Sequence, residues 1–257
     1  VRYRSSKVQA QLSVWKTKFT DRLGSAYDPE TDQTIFRNLA RVDKWGIDGS
    51  VSYEPIPEVT VYAFGSWNDS EIKDDIQTGL LPLVDPAGPA TGPRKTCDDP
   101  TLTAGEQARG CAYTAGNRES GAPKYTFGFS GVGHIGPVDL GLTAKRTGPR
   151  YIFDNGQPVF RGDADLVGAG GSEVVFDNKA PSYWLVNLDA RLNLGIVSTS
   201  LEKSYFQLNV YNLFDEFYVG GFTGGLNQAF SGTNFGNPNF VQIGAPRTIS
   251  GTLSIGF

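Results

Sequence analysis

The side chains best suited to binding chemistry are aromatic and cationic, and they cluster in two segments that we predict to be loops. Aromatic rings stack on flat organic groups and arginine pairs with anions, so both segments suit a small-molecule ligand. The candidate ligand-binding residues are Arg150, Tyr151, Phe153, Phe160 and Arg161 in the first segment and Phe222, Phe230 and Phe235 in the second. The alternative interpretation is that these side chains pack the loops against one another.

The sequence contains no arrangement typical of an enzyme active site. A serine triad needs a histidine beside the nucleophile, and the single histidine, His134, falls in a predicted short turn. Phosphate-binding loops and Cys-x-x-Cys motifs are absent, and one histidine with two cysteines does not make a zinc site. We therefore expect no enzymatic activity, no cofactor and no metal centre.

The two cysteines, Cys97 and Cys111, lie in one segment rich in glycine and proline. We predict a disulfide between them, which suits an oxidising compartment. It would close a loop of about 15 residues and contribute about 3 kcal/mol on the chain-entropy estimate. Two unpaired loop thiols are the alternative.

Composition excludes several classes of protein for this chain of 257 residues. The net charge of −4 comes without a basic stripe, so we expect no nucleic-acid partner. Apart from glycine, the longest apolar runs are four residues (Val61–Phe64 and Tyr183–Val186), whereas a transmembrane helix needs about 20. The 32 glycines, 16 phenylalanines and 11 tyrosines favour β-structure. Transmembrane β-strands remain possible, because they alternate in polarity and keep mean hydropathy low.

Polar and apolar residues alternate in segments that we predict to be strands of about ten residues, long enough to cross a bilayer at a tilt. The eight segments are Val8–Val14, Ile47–Glu54, 59–68, 124–130, Val138–Lys145, 183–194, Phe206–Val210 and Thr248–Phe257, and Val1–Arg4 resembles the end of a ninth. The two faces of 59–68 are both partly apolar, so its orientation stays open. Long connections, at about 20–35, 70–123, 147–181 and 215–244, alternate with short ones, which is typical of an outer-membrane barrel. A soluble β-sandwich would also alternate.

Five motifs, in order along the chain, resemble TonB-dependent outer-membrane receptors. The end of the sequence carries two of them, YFQLNVYNLFDE at Tyr205–Glu216 and GAPRTISGTLSIGF at Gly244–Phe257. The other three are GIDGSVSYE, APKYTFGF and PSYWLVNL, which begin at Gly46, Ala122 and Pro181. The first of these has Asp48 where the family usually has glutamate. The resemblance, with the motifs in the expected order, covers nearly all 257 residues.

The resemblance implies an all-β fold, a transmembrane antiparallel β-barrel. This sequence would hold the last eight or so strands of a 22-stranded plugged barrel. Residues 1–257 would then be the C-terminal portion of the receptor barrel, with the N-terminal plug and earlier strands absent from them. We expect a multi-pass protein of the outer membrane of a Gram-negative bacterium.

The resemblance also implies active import of a scarce nutrient, with a ferric siderophore as the first candidate ligand. The alternatives are a carbohydrate or another nutrient, a passive porin-like barrel, or a soluble β-rich binding module. The implied partners are the TonB energy-coupling complex, reached through the absent N-terminal region, outer-membrane lipid, a small-molecule ligand such as a ferric chelate, and the barrel-insertion machinery.

The last strand resembles the sorting signal of outer-membrane barrels through Ile249, Leu253, Ile255 and Phe257. A terminal strand with alternate apolar anchors can pair with the edge of an insertion machine. Aromatic residues near strand ends favour the headgroup level of a bilayer and predict interfacial girdles. The candidates are Trp15, Phe19, Trp45, Trp67, Tyr125, Trp184 and Phe214.

Overall fold

β-Strands form nearly all of the regular structure in the computed structural model. It describes residues 1–20, 22–28, 33–39, 41–77, 99–101, 111–156, 158–161, 173–222, 230–231, 234–235 and 241–256. The strands in chain order are β1 (Arg2–Arg4), β2 (Val8–Phe19), β3 (Arg22–Asp28), β4 (Gln33–Leu39), β5 (Val42–Ile56), β6 (Val59–Ile72), β7 (Ile76–Gln77), β8 (Cys111–Ala112), β9 (Tyr125–Ile135), β10 (Val138–Thr147), β11 (Arg150–Tyr151), β12 (Val159–Arg161), β13 (Glu173–Phe176), β14 (Lys179–Ala180), β15 (Tyr183–Asn193), β16 (Tyr205–Tyr211), β17 (Val219–Phe222), β18 (Phe230–Ser231), β19 (Asn234–Phe235), β20 (Val241–Ile243) and β21 (Thr248–Ser254). Two short 3₁₀ turns, Leu194–Ile196 and Thr199–Leu201, connect β15 to β16.

Nine strands form one antiparallel sheet in the order β1-β2-β5-β6-β9-β10-β15-β16-β21. This confirms the all-β antiparallel prediction, and Val1–Arg4 supplies the ninth strand as β1. The remaining strands pair two by two within the long connections. No helix in the described part of the chain is long and apolar enough to span a membrane.

The position of His134 differs from the prediction. It lies inside β9 rather than in the turn, because its backbone N–H donates to the carbonyl of Glu58 at 2.8 Å and its partner across the hairpin is Asp139. The imidazole Nδ1 lies 2.7 Å from the Asp139 carboxylate. The turn itself is only two residues, and Gly136 adopts a φ of 59°, which glycine tolerates without a steric penalty.

Register places most polar residues of the sheet on one face, because directly paired residues point to the same side, and the charged residues on the other face, such as Lys16, Asp69 and Arg146, lie near the ends of the strands. That polar face carries Gln9, Gln11, Ser13, Asp48, Ser50, Ser52, Ser66, Thr126, Ser130, Thr143, Lys145, Asn187, Asp189, Arg191, Gln207, Asn209, Thr252 and Ser254. Tyr62 and Phe64 lie on the same face, since they pair with Ser52 and Ser50. This settles the orientation of segment 59–68.

Glycines on the polar face make room for large side chains from neighbouring strands. The Trp15 ring covers Gly46, and a Cβ there would come within 2.5 Å of the ring. Phe64 covers Gly128 in the same way, with 2.9 Å between its ring and a hypothetical Cβ. Aromatic rings from neighbouring strands therefore fill the space on the polar face that is left by the missing glycine side chains.

Trp15, one of the candidates for an interfacial girdle, is instead anchored to the polar face by a hydrogen bond. Its Nε1–H donates to Oδ2 of Asp48 at 2.7 Å, and the Ser66 hydroxyl donates to Oδ1 of the same carboxylate at 2.5 Å. Two donors therefore hold the Asp48 carboxylate, which replaces the glutamate usual in the motif.

The opposite face is apolar and exposed. It carries Ala10, Leu12, Val14, Ile47, Val51, Val61, Ala63, Phe127, Phe129, Leu140, Leu142, Val186, Leu188, Leu208, Val210, Ile249 and Leu253. Val14 is 68% exposed and Leu253 is 60% exposed, whereas Val210 is 7% exposed, so most of this surface is left uncovered by the described residues. An exposed apolar face of this size fits contact with lipid.

Aromatic residues border the apolar face at the end where the long connections leave the sheet. Trp45 contacts Trp67 edge-on at 4.6 Å between ring centroids, and Phe127 contacts Trp184 at 5.4 Å. The guanidinium of Arg146 lies 5.8 Å from the Trp184 ring centroid. Rings beside a cation at a strand end are typical of the membrane–water interface.

Replacing Leu142 by arginine tests the outward orientation of the apolar face. We expect Leu142→Arg to reduce the free energy of unfolding in bilayers by about 2–4 kcal/mol, because the charge would enter lipid. The matched control is Thr143→Arg, which points to the polar face and loses one hydroxyl contact with Ser130. Denaturant titration in vesicles measures both. An equal loss of stability in the two variants would contradict the outward orientation of the apolar face.

Candidate functional site

Four long connections leave the same end of the sheet, and their described residues form what we call the rim. They join β2 to β5, β6 to β9, β10 to β15 and β16 to β21. This grouping follows from antiparallel pairing, since every second connection must lie at the same end. All predicted ligand-binding residues therefore belong to the rim, in its third and fourth connections.

Arg150 ties the third connection to the fourth. The side chain is only 7% exposed, and its Nη1 donates to the carbonyl of Gly220 at 2.9 Å. Its Nη2 donates to the neighbouring carbonyl of Val219. The guanidinium also lies 5.5 Å from the ring centroid of Tyr183, which in turn stacks on Tyr218 at 4.4 Å.

A small apolar core lies beside this arginine. Ile152 and Phe153 are 1% and 0% exposed, and Phe176 and Phe222 pack against them. The rings of Phe176 and Phe222 meet edge-on at 6.2 Å. Aromatic residues from both connections therefore fill a shared interior, which agrees with the loop-packing interpretation of Phe153 and Phe222.

Hydrogen bonds from backbone N–H groups join the second connection to the third. The Asp154 carboxylate accepts a hydrogen bond from the Ser120 backbone at 2.8 Å, and the Tyr151 carbonyl accepts one from Gly121 at 2.8 Å. Asp75 holds the base of the second connection by accepting bonds from the N–H groups of Thr114 and Ala115, both at 2.9 Å.

An ion pair links the first connection to the second. Arg41 donates from Nη2 to Oδ1 of Asp74 at 2.7 Å and from Nε to Oδ2 at 3.0 Å. These hydrogen bonds lower the pKa of Asp74 to about 2, and the carboxylate raises the pKa of Arg41. The four connections are thus tied in succession along the rim.

The N-L-F-D motif forms the turn at which β16 ends. Asn212 adopts a φ of 52° and is 5% exposed. Its Nδ2 donates to the carbonyls of Glu216 and Ala245 at 2.9 and 3.1 Å, and its Oδ1 accepts from the Glu216 N–H at 2.9 Å. Asp215 then accepts from the backbone N–H of Arg247 at 2.8 Å. The motif therefore closes the base of the fourth connection.

The predicted ligand-binding residues fall into different surroundings. Tyr151 is half-buried beneath Lys179, whose ammonium lies 4.7 Å from the ring centroid. Phe160 and Arg161 belong to β12, and Phe230 pairs with Phe235 across the β18–β19 hairpin. Arg150 and Phe153 face the loop interior rather than solvent. A ligand-contacting role for all eight residues stays a prediction.

The remaining predicted sites are only partly described. Cys97 lies outside the described residues and Cys111 begins β8 opposite Gln77, so the disulfide stays a prediction. Phe257 also lies outside them, while Ile249, Leu253 and Ile255 are exposed along the last strand. The sequence analysis did not identify the Tyr183–Tyr218 stack, and only the N-L-F-D motif marked that part of the rim as structured.

The sequence matches the family model for TonB dependent receptor-like β-barrels over residues 1–213. The chain belongs to this family. Members of the TonB-dependent receptor family are outer-membrane β-barrel proteins. A comparison with curated proteins returns no match.

Solved TonB-dependent receptors share the fold at low identity. The ferric yersiniabactin uptake receptor FyuA from Yersinia pestis is 16% identical, covers 100% of this chain and has a TM-score of 0.61. The ferric citrate transporter FecA is 16% identical over 99% of the chain, with a TM-score of 0.57. The siderophore receptor PiuA from Acinetobacter baumannii is 14% identical over 96%, with a TM-score of 0.55. The chain spans 28%, 30% and 26% of these three proteins.

Removing the Arg150 tie should loosen the fourth connection without unfolding the sheet. Hydrogen bonds to a charged group contribute about 1.5–3 kcal/mol each, so Arg150→Ala should reduce amide protection in β17 and β20 by tenfold or more. Amide protection in the Arg150→Lys protein should lie between that of the unaltered protein and that of Arg150→Ala, because lysine keeps the charge but lacks the planar guanidinium. Hydrogen exchange read by mass spectrometry measures this.

Arg247→Ala is the control, since Arg247 lies in the same connection and its described contact is through the backbone N–H. Equal loss of protection in the Arg247 and Arg150 variants would show that Arg150 is not a specific tie.

Acid should release the first connection from the second in a defined pH range. A lowered pKa in the folded state means that the Arg41–Asp74 contact stabilises the fold above the ordinary aspartate pKa of 3.8 and is lost as pH falls toward about 2. Carboxyl NMR of Asp74 should give a midpoint near 2, and Arg41→Gln should move it up toward 3.8. A midpoint near 3.8 in the unaltered protein would contradict the contact.

Proposed function

We propose that residues 1–257 are the C-terminal part of the barrel of a TonB-dependent receptor that actively imports a ferric siderophore across the outer membrane. The observation that carries this is the family match over residues 1–213, together with the fold shared with FyuA, FecA and PiuA. Those three proteins are named for ferric chelates or siderophores. At 14–16% identity they support the ligand class only by analogy.

The sheet supports the placement within a larger barrel. Among the described strands, β1 and β21 each pair on one side only. Unpaired backbone groups are costly in lipid, so a sheet that spans a bilayer must close on itself. We infer that further strands complete it and that the polar face, with Asp48, Lys145, Asp189 and Arg191, lines a wide lumen beside the plug.

The partners follow from the same proposal. The apolar face contacts outer-membrane lipid, and β21 offers the barrel-insertion machinery an edge strand with alternate aliphatic anchors. The TonB energy-coupling complex engages a region outside this sequence. The chain acts as a transporter and not as an enzyme. A carbohydrate or another nutrient remains the alternative ligand for the same fold.

Energised uptake is the deciding experiment for the proposed function. Cells that express the full-length protein should accumulate radioactive iron from a ferric siderophore, and accumulation should cease when TonB is deleted or the proton gradient is dissipated. A barrel made without its plug is the control for passive leakage. Uptake that persists without TonB would show a passive porin, and saturable uptake of a sugar but not iron would show a carbohydrate receptor.

The size of the native protein tests the domain assignment separately. Intact-mass measurement on detergent-extracted protein should give a mass several times the 27.8 kDa of this chain. A mass near 27.8 kDa would contradict the assignment unless a second chain accompanied it.

A further inference from the structure

The connection between β15 and β16 is the longest of those at the end of the sheet opposite the rim. Residues 194–204 separate these two strands, whereas each of the other turns at this end has two or three residues. Short turns lie on the periplasmic side of an outer-membrane barrel and long loops on the outside. We call residues 194–204 the periplasmic connector. The sequence analysis placed no functional residue in it.

Hydrogen bonds give the periplasmic connector a fixed shape. The side chains of Asn193 and Ser198 cap its two 3₁₀ turns by accepting backbone N–H bonds at 2.8 and 3.3 Å. The Leu194 N–H donates to the carbonyl of Ser204 at 2.9 Å and closes the base of the connector. The side chains that the connector exposes are therefore presented from an ordered backbone.

Two adjacent aliphatic side chains of the periplasmic connector are exposed. Ile196 is 66% exposed and Val197 is 73% exposed. The only charged residues of the connector are Glu202 and Lys203, which have opposite signs. Exposed aliphatic groups lower their free energy when an apolar surface covers them. The connector therefore offers a small apolar tip with almost no net charge.

The apolar face of the sheet leads to this tip. Leu192 lies on that face, near the end of the sheet, where it pairs with Val138 and Phe206. An apolar band about 25 Å tall takes about ten residues of a strand tilted by about 40°. Counted from Trp184 at the outer border of the face, about ten residues reach Leu194. The connector therefore begins at the level of the lipid headgroups on the periplasmic side.

We propose that Ile196 and Val197 insert into the periplasmic leaflet of the outer membrane and anchor the connector to its phospholipid surface. Continuity with the apolar face favours lipid over a protein partner, and the balanced charge favours apolar insertion over electrostatic attachment. The turns at 5–7 and 57–58 differ, because each carries a charged residue, Lys7 or Glu58. The proposal rests on the membrane placement of the sheet and is independent of the imported ligand.

The anchor is joined to the end of the last strand. Ser204 is fully buried, and its Oγ accepts a hydrogen bond from the N–H of Gly256 at 3.1 Å. Lys203 covers Gly256, where an added Cβ would lie 2.6 Å from the Cβ of the lysine. A connector held at the membrane surface therefore also holds the chain just after β21 at that depth.

Photochemical labelling from lipid tests the anchor on the unaltered full-length protein. The protein is placed in nanodiscs that contain a phospholipid with a diazirine near its glycerol backbone, and mass spectrometry assigns the adducts to residues after illumination. We expect adducts at Ile196 and Val197 at least fivefold above those at Glu58, which is exposed on a neighbouring turn of the same end. Yields at the two tip residues no higher than at Glu58, as a protein cover would also give, would overturn the proposal.

Val197→Asp tests whether the aliphatic pair causes the contact. The charge should lower the adduct yield at Ile196 at least threefold, because a carboxylate resists transfer out of water. Ser200→Asp is the matched control, since Ser200 is exposed on the same connector, and it should leave that yield unchanged. An equal loss in the two variants would overturn the proposal. The labelling of the unaltered protein needs no substitution, so it decides the question even if a variant misfolds.

The anchor and the proposed import function fail separately. A lipid with its diazirine deep in the acyl chain should label Leu142 whether or not the tip inserts. Labelled Leu142 with unlabelled Ile196 and Val197, in a protein that imports a ferric siderophore, would reject the anchor alone. A labelled tip in a protein that imports nothing would support the anchor and reject the import function.

Discussion

Backbone pairing in lipid is the constraint on which the rest of this structure depends. Within a bilayer, every strand N–H and carbonyl must find a partner in the sheet, and the nine strands pair in one antiparallel sheet. That register then fixes which side chains point which way. The polar face can hold Asp48, Asp189 and Arg191 only if it lines water, and the apolar face can expose Leu142 only if it meets lipid.

The same constraint produces the rim. Because antiparallel strands return alternately, all four long connections emerge at one end, where they can contact each other. The ties from Arg41 to Asp74, from Ser120 to Asp154 and from Arg150 to Gly220 then join each connection to the next. A ligand that contacts one connection would therefore also affect the other connections, because these contacts join them to one another.

Sequence patterns predicted the strands and their faces well, because period-two alternation follows directly from strand geometry. They failed where a side chain's role depends on a neighbouring strand: Trp15 was a candidate for an interfacial girdle, but register brings it over Gly46 and beside Asp48. The turn position of His134 was also wrong, since the hairpin loop is shorter than its glycine and proline suggested. The Arg150 tie spans 70 residues of sequence, so no local pattern could reveal it.

The most direct test of the account is the accessibility of spin labels along β15 in lipid bilayers. Labels at residues 186, 188 and 190 should be accessible to dissolved oxygen, and labels at 187 and 189 to a water-soluble nickel complex, in strict alternation. This outcome would place the apolar face in lipid and the polar face in an aqueous lumen. The opposite phase would place the polar face in lipid and contradict the orientation. Protection of residues 186, 188 and 190 from both reagents would mean that the apolar face is buried inside a soluble protein, and uniform accessibility would contradict the strand itself.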